Sequence, residues 1–558
     1  MPSISKFLSL TCVGTGFLLP GLGMPGHAQA QRKLDRSDPT IVEQVLPKPM
    51  AAQDETSEIR IEAGAAVTGE TSPITGTITA VVVDGGDRRD AAAYASTYLS
   101  VIGEKLNREQ LGSLAGRIAD VARRRGYPFA SASIGAQRMT GGVLRVSIDL
   151  GKVDAVRVIG GQSAAADAIL YSALVTGAPV RTAQLEQAVL LVSDLPGVRV
   201  TGSRYARQSG FGILLVTIET DRASAYAQID NRGSAEVGPV RSTLLANVRN
   251  VLHSGDELAF LTSQTPIQPS EFVFLRARYG APIDQAGSIL SVSGSYGRSH
   301  PGASLKRLDV IGRSTDVAVG YSQPLWRSRA RSLWATAEFR AVSVEQTLAG
   351  RQLRDDRLAS LTGAVNGFTK AGPGVLRAEI GATTGLSLPG VTHEGDPRTS
   401  RADGDARFVL AGFTADWTVQ ISPPVSIVIA AAGQLASRPL LATMEIGVGG
   451  PGFARGYDYA ERTGDKGIMG SVELRRDMGR MVPGLLERVQ IYGFVDGGQV
   501  GNVRGGVGGG RLFSTGAGLR LGLGRADGMV EVALPIEADR FDSGDRRPRI
   551  SLRLSRAF

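Results

Sequence analysis

The chain has 558 residues and a formal net charge of +9, with 72 glycines, 42% hydrophobic and 21% charged residues. That balance excludes a disordered or collagen-like chain. Its basic residues are scattered, with no dense basic run interleaved with aromatics, which argues against a nucleic-acid partner.

Residues 1–30 read as a secretory signal peptide. Lys6 supplies the positive start, Phe7 to Leu22 is mostly apolar, and Ala28-Gln29-Ala30 is a small-residue cleavage site. The single cysteine, Cys12, falls in the part to be removed, so neither disulfide nor thiol chemistry is expected in the exported chain. No later stretch reaches about 18 uninterrupted apolar residues, which argues against a transmembrane helix. Barrel strands of about ten residues, with their weaker alternating signal, stay open. Residues 31–73 read as a short helix and a linker. Ser37-Asp38-Pro39 opens the helix and Ile41, Val42, Val45 and Leu46 continue it.

Residues 74–151 follow the order β-α-α-β-β. Ile78 to Val83 is a strand candidate, and Asp90 to Ile102 and Arg108 to Arg125 are helical. In the second helix Leu111, Leu114, Ile118 and Val121 recur at spacings of three and four. Phe129 to Ile134 and Val143 to Leu150 form the strand pair. Residues 152–220 repeat that order: Val153 to Ile159, Ala164 to Leu174, Thr182 to Leu195, Val198 to Tyr205, Ile213 to Ile218. Two such units in tandem are an internal repeat.

From Ala223 helical periodicity gives way to alternation. Leu290, Val292, Gly294 and Tyr296 alternate with Ser291, Ser293 and Ser295. Leu333, Ala335, Ala337 and Phe339 alternate with Trp334, Thr336, Glu338 and Arg340. Phe413, Ala415, Trp417 and Val419 do the same, as do Ala517, Leu519, Leu521 and Leu523. A solvated antiparallel sheet would alternate too. Three features favour a membrane barrel over residues 223–558. No helix is available to cap a sheet. About 21 residues per strand and connection accommodate about 16 antiparallel strands. The last strand, Ile550-Leu552-Leu554, runs out to Phe558. The expected class is therefore an all-β transmembrane barrel preceded by two α+β domains. Arg556 shares the outward parity of Leu554 and must snorkel.

The stretch from Gly449 to Asp477 holds one arginine, Arg455, in a glycine-rich surrounding. In Val489 to Asp496 the apolar parity is Val489, Ile491, Gly493 and Val495. If that face meets lipid, Tyr492, Phe494 and Asp496 point into the lumen. Arg455 is then a candidate partner for Asp496, since an arginine–carboxylate pair is geometrically specific and can lock a loop. Spacing alone also allows both groups to be solvated.

These residues resemble known motifs. Phe453-Ala454-Arg455-Gly456-Tyr457, Gly464-Asp465-Lys466-Gly467 and Glu473-Leu474-Arg475 are similar to the inward-folded sixth loop and following strand of the outer-membrane assembly-factor superfamily. Phe494-x-Asp496-x-Gly498 resembles the strand motif that holds the loop arginine, and the repeated units resemble POTRA domains. Gln137-x-Met139-x-x-Gly142-x-Leu144-x-Val146, Gly151-x-Val153 and Asp230-Asn231-x-Gly233-Ser234 with Gly238 resemble the two-partner secretion translocators, the TpsB or haemolysin secretion/activation family. The resemblance implies POTRA 1 over 74–151, POTRA 2 over 152–220, and a barrel over 223–558 in the outer membrane of a Gram-negative bacterium, the POTRA domains in the periplasm. It implies a lumen lock of Arg455, Gly456, Tyr457, Phe494, Asp496 and Gly498. It further implies export of a secreted β-helical exoprotein, with outer-membrane lipids and the barrel assembly machinery as further partners. An insertase of the same superfamily and a porin-like passive channel are the alternatives. The chain departs from the family pattern at Ala454, where valine is commoner, at Arg556, and in a short N-terminal helix that puts plugging of the pore in doubt.

No enzyme is expected. His253, His300 and His393 stand at no ligand spacing to another histidine or a cysteine, so no metal or cofactor is expected. Gly297-Arg298-Ser299-His300-Pro301 only approaches a nucleophile elbow. Gly447-x-Gly449-x-x-Gly452 matches a dinucleotide fingerprint with no βαβ unit behind it.

Overall fold

The computed structural model describes residues 39–40, 61–62, 76–208, 210–506, 508–541 and 543–558. The expected signal peptide and most of the expected N-terminal helix and linker lie outside them.

The first unit comprises β2 (Ala80–Asp84), α1 (Ala91–Tyr98), α2 (Arg108–Arg124), β3 (Ser131–Ser133) and β4 (Val143–Asp149), after a short β1 (Ile61–Glu62). Asn107 starts α2 through a capping box: its side chain accepts from Gln110 N at 2.8 Å, and its own N donates to Gln110 Oε1 at 2.8 Å. The apolar stripe of α2, Leu111, Leu114 and Ile118, buries against Leu144 and Val146 of β4. Each such leucine or isoleucine contributes roughly 1.5–3 kcal/mol of transfer free energy. β2 runs parallel to β4, and β3 antiparallel to it.

The second unit repeats the plan with β5 (Ala155–Ile159), α3 (Ala164–Leu174), α4 (Thr182–Ser193), β6 (Val198–Gln208) and β7 (Phe211–Thr220). β5 is parallel and β6 antiparallel to β7. The edge of β6 is taken by β1, where Ile61 pairs with Ser203.

The remaining chain closes into a barrel of sixteen strands. They begin β8 (Ala223–Asp230), β9 (Arg241–Arg249), β10 (Glu257–Gln264), β11 (Phe272–Pro282), β12 (Ile289–Ser299), β13 (Val310–Arg327), β14 (Arg331–Leu348) and β15 (Arg351–Ala371). They continue β16 (Gly374–Gly385), β17 (Val409–Ser422) and β18 (Val425–Ala436). A small hairpin that forms no part of the wall follows, β19 (Ile446–Val448) and β20 (Arg462–Gly464). The wall then resumes with β21 (Lys466–Gly479), β22 (Arg488–Gly501), β23 (Gly510–Leu523), β24 (Ala526–Pro535) and β25 (Arg549–Ala557). β25 pairs antiparallel with β8 and closes the ring, leaving no edge. Among the described residues no helix is long and apolar enough to cross a membrane; the crossing is made by strands.

Alternation resolves into two faces. Leu290, Val292, Leu333, Phe339, Phe413 and Leu519 are exposed on the outer wall. Arg556 lies outward as well, opposite Ala227, with its guanidinium 4.6 Å from the Phe558 ring centre. The second unit is fastened beneath one rim. Arg327, at the end of β13, grips Asp194 with Nη2 at 2.6 Å and Nε at 2.8 Å, and Arg329 N donates to Glu186 Oε1 at 2.9 Å.

Candidate functional site

Loop 6, the segment 437–465 between β18 and β21, folds into the lumen. Its stem is the β19–β20 hairpin, with Ile446 opposite Gly464 and Val448 opposite Arg462. Gly449 and Gly450 turn the chain at φ of 113° and 101°. A Cβ on Gly449 would lie 2.1 Å from Asp458 O, so only glycine fits there. Ala454 sits at φ 55°. This left-handed position disfavours β-branched residues, and alanine bears it with less strain than a valine would. Ala454 and Tyr457 pack with Val448, Met469, Val500 and Leu512, which holds the tip against the inner wall.

The parity expected for β22 is observed from Ile491 on. Ile491 and Val495 are exposed outside, whereas Tyr492, Phe494 and Asp496 are buried inside. Val489 is buried too, beside the bulge where Asp477 gives way to Gly479 in the register.

Arg455 meets this wall with its whole guanidinium. Nε donates to Asp496 Oδ2 at 2.7 Å; Nη1 donates to Glu473 Oε2 at 2.7 Å and to Glu531 Oε2 at 3.2 Å; Nη2 donates to Ser471 Oγ at 3.1 Å. Its flat face lies 3.5 Å from the Phe494 ring centre. Only a planar cation with a fixed fork of donors satisfies an aromatic face and three carboxylates together. Burial by itself would ease its proton off, but the hydrogen bonds to Asp496 and Glu473 outweigh that and raise its pKa above the usual arginine value. The carboxylates are balanced in turn. Glu473 also accepts from Arg475 at 2.6 Å and Arg520 at 2.7 Å, and Glu531 accepts from Tyr492 at 2.9 Å and Arg232 at 2.8 Å. Asp496 accepts from Ser514 and from Arg455 N at 3.3 Å.

The other expected residues have spatial roles. A Cβ on Gly456 would lie 2.9 Å from Pro535 N, so glycine lets the loop press on β24. Tyr457 is fully buried; its hydroxyl donates to Ala538 O at 3.1 Å and accepts from Ala538 N at 3.0 Å. A Cβ on Gly498 would meet the Met469 side chain at 2.5 Å. Sequence reasoning gave no role to Ser471, Glu473, Ser514 and Glu531. Glu473 and Ser471 share the inward parity of their strand, which was the available signal. Glu531 alternates with Val530 and Val532 in the same way.

A closed sixteen-strand barrel, a buried arginine on an inward loop and tandem β-α-α-β-β units define an outer-membrane protein transporter with POTRA domains. Two family descriptions match: "Haemolysin secretion/activation protein ShlB/FhaC/HecB" over residues 212–521 and "POTRA domain, ShlB-type" over residues 77–151. The chain belongs to the haemolysin secretion/activation family, the translocators of two-partner secretion. It is 22% identical over 391 residues to the heme/hemopexin transporter protein HuxB of Haemophilus influenzae strain 86-028NP, covering 67% of each chain. The structure of CdiB from Escherichia coli matches with a TM-score of 0.68 and 19% identity, covering 96% of this chain and 98% of that one. CdiB from Acinetobacter baumannii matches at 0.60 and 16%, covering 97% and 100%. BamA from Haemophilus ducreyi lacking POTRA domains 1–3 matches at 0.53 and 12%, covering 87% and 100%. Family members are transporters of the Gram-negative outer membrane, each serving a secreted protein.

Proposed function

We propose that this translocator takes an unfolded β-helical exoprotein from the periplasm and passes it through the barrel lumen, with loop 6 as the element that shapes the path. The POTRA units, 74–151 and 152–220, stand in the periplasm and offer sheet edges to which a client strand adds. Main-chain hydrogen bonds give such binding its affinity without demanding a client sequence. Lipids of the outer membrane cover the apolar outer wall, and the barrel assembly machinery inserts it. No nucleotide is needed; folding of the client outside supplies the bias.

The Arg455 constellation is the observation that carries this reading. A passive pore has no use for an arginine held by three strands. A translocator needs a loop that keeps one position while a chain passes, or leaves it in one step. The experiment is deletion of this protein followed by an inventory of secreted and outer-membrane proteins. Loss of one large exoprotein from the medium is expected. Broad loss of other barrel proteins would instead mean an insertase, and normal secretion with lost solute uptake a porin.

A further inference from the structure

The outer wall along β12 and β13 is apolar up to one level, where two arginines stand side by side. Trp326 faces outward at the foot of β13, with the Arg331 guanidinium 3.9 Å from its ring centre. An aromatic of this kind marks a membrane–water interface. Going up from it, Val319, Val317 and Thr315 of β13 face outward, as do Leu290, Val292 and Tyr296 of β12. The next outward residues are Arg298 and Arg313, directly opposite each other in the ladder. From Trp326 to Arg313 the strand runs about 43 Å at ~3.3 Å per residue. At a tilt of about 40° that is about 33 Å of height, against an apolar belt of about 25 Å. The two arginines therefore stand at head-group level, on the side of the membrane away from the POTRA units.

Their charges are not answered from within the protein. Opposed side chains on neighbouring strands have Cβ atoms about 4.5–5.5 Å apart, and like charges there repel. Both side chains are exposed, and among the described residues neither has an ion-pair partner. Glu345 of β14 lies opposite Arg313 in register without pairing to it. Asp309 of the same hairpin is taken by His300 Nε2 at 3.0 Å. Lys306 and Arg307 add two more exposed cations on the connection above. Arginines of the lumen are treated otherwise: Arg340 meets Asp316, and Arg377 meets Asp416 at 2.9 Å. An anion from outside would turn the repulsion of Arg298 and Arg313 into a shared attraction.

We propose that Arg298 and Arg313 form a phosphate-binding site for the phosphorylated glycolipid of the outer leaflet, with Lys306 and Arg307 adding attraction from above. Two guanidinium forks can close on one phosphate, which accepts from both. The acyl chains then lie against Val292, Tyr296 and Val317 below it. The site uses no residue of loop 6. It rests on the periplasmic placement of the POTRA units proposed above.

Native mass spectrometry of the full-length protein, titrated with bisphosphorylated lipid A, tests the site. Arg298→Gln/Arg313→Gln should weaken binding about tenfold or more, since hydrogen bonds to a charged group are lost. Arg525→Gln, on the exposed β23–β24 turn at the opposite rim, should leave the Kd unchanged. Dephosphorylated lipid A should bind the wild type no better than lipid A binds the double variant. If the double variant fails to insert, Arg313→Lys keeps the charge without the fork and should give an intermediate Kd. A wild-type Kd in both variants, or equal affinity for dephosphorylated lipid A, would overturn the site. Displacement of lipid A by equimolar inorganic phosphate would overturn the lipid assignment. Labelling of Leu308→Cys on intact cells by an impermeant maleimide reads the placement separately. Labelling is expected; its absence would overturn the periplasmic placement of the POTRA units, and the proposal with it, whatever the Kd values.

Discussion

Two of the buried arginines, Arg455 and Arg401, are held differently. Arg455 draws its partners from strands: Ser471 and Glu473 of β21, Asp496 and Phe494 of β22, Glu531 of β24. Arg401 draws its partners from loops. Its Nη1 donates to Asp465 at 2.8 Å and to Glu445 at 3.0 Å, both at the base of loop 6, and its Nε to Asp403 at 2.7 Å. Asp465, fully buried, also accepts from Leu440 N and Val503 N at 2.8 Å each. The first arginine keys a loop into a rigid wall. The second ties three loops to one another.

The largest effect should follow Arg455→Ala. It leaves Asp496 with Ser514 and the N–H of residue 455 as donors, and breaking a buried pair costs about 3–5 kcal/mol. The barrel should still insert while loop 6 becomes open to protease and secretion fails; full secretion with a protected loop would remove the lock from the mechanism. Arg455→Lys sharpens the point. A point charge cannot serve the carboxylates and the Phe494 face together, so it should rescue poorly.

Asp496→Asn should rank next, at about 1–3 kcal/mol, because the amide keeps the shape but loses the charge. Protease sensitivity of loop 6 is again the measurement, and it should fall between wild type and Arg455→Ala. At the other centre Arg401→Ala should loosen residues 386–408 and 502–506 by a similar or smaller amount. The Arg455 contacts should survive it, so exchange at loop residues should rise while the tip 449–461 stays protected. Simultaneous release of the tip would show that the two centres act as one. The smallest effect, about 1 kcal/mol, is expected for Asn107→Ala, which removes the α2 cap far from both arginines. Faster exchange at the start of α2, with no change in the barrel, checks it.

Much of this was legible in the sequence because period is a direct print of burial. The α2 stripe and the alternation of β14, β17 and β23 carry their own faces. The pair Arg455–Asp496 was reachable because Ile491 and Val495 fix the parity of Asp496. The inward face of Glu531 was reachable by the same parity, but its contact with Arg232 was not. They lie about three hundred residues apart, and only ring closure brings them together. Nor does period reveal the Arg401 centre, since Arg401 and Asp465 sit in loops. Equally, period does not reveal that the stem of loop 6 is a hairpin. Its pairing spans only Ile446–Val448 and Arg462–Gly464, too short for alternation to register.

The strands are of very unequal length. β15 has 21 residues and β8 has 8, or about 70 Å against about 26 Å along the strand at ~3.3 Å per residue. The apolar belt of such a barrel is only about 25 Å tall. The ends of β14 and β15 nearest Arg331 lie by the second N-terminal unit, so the surplus rises on the opposite side of the membrane. The exit is consequently lopsided, with a tall parapet at β14–β15 and a low strand wall at β8. A polypeptide emerging there meets a long strand wall along one flank, which gives its first folded turns a surface to lean on.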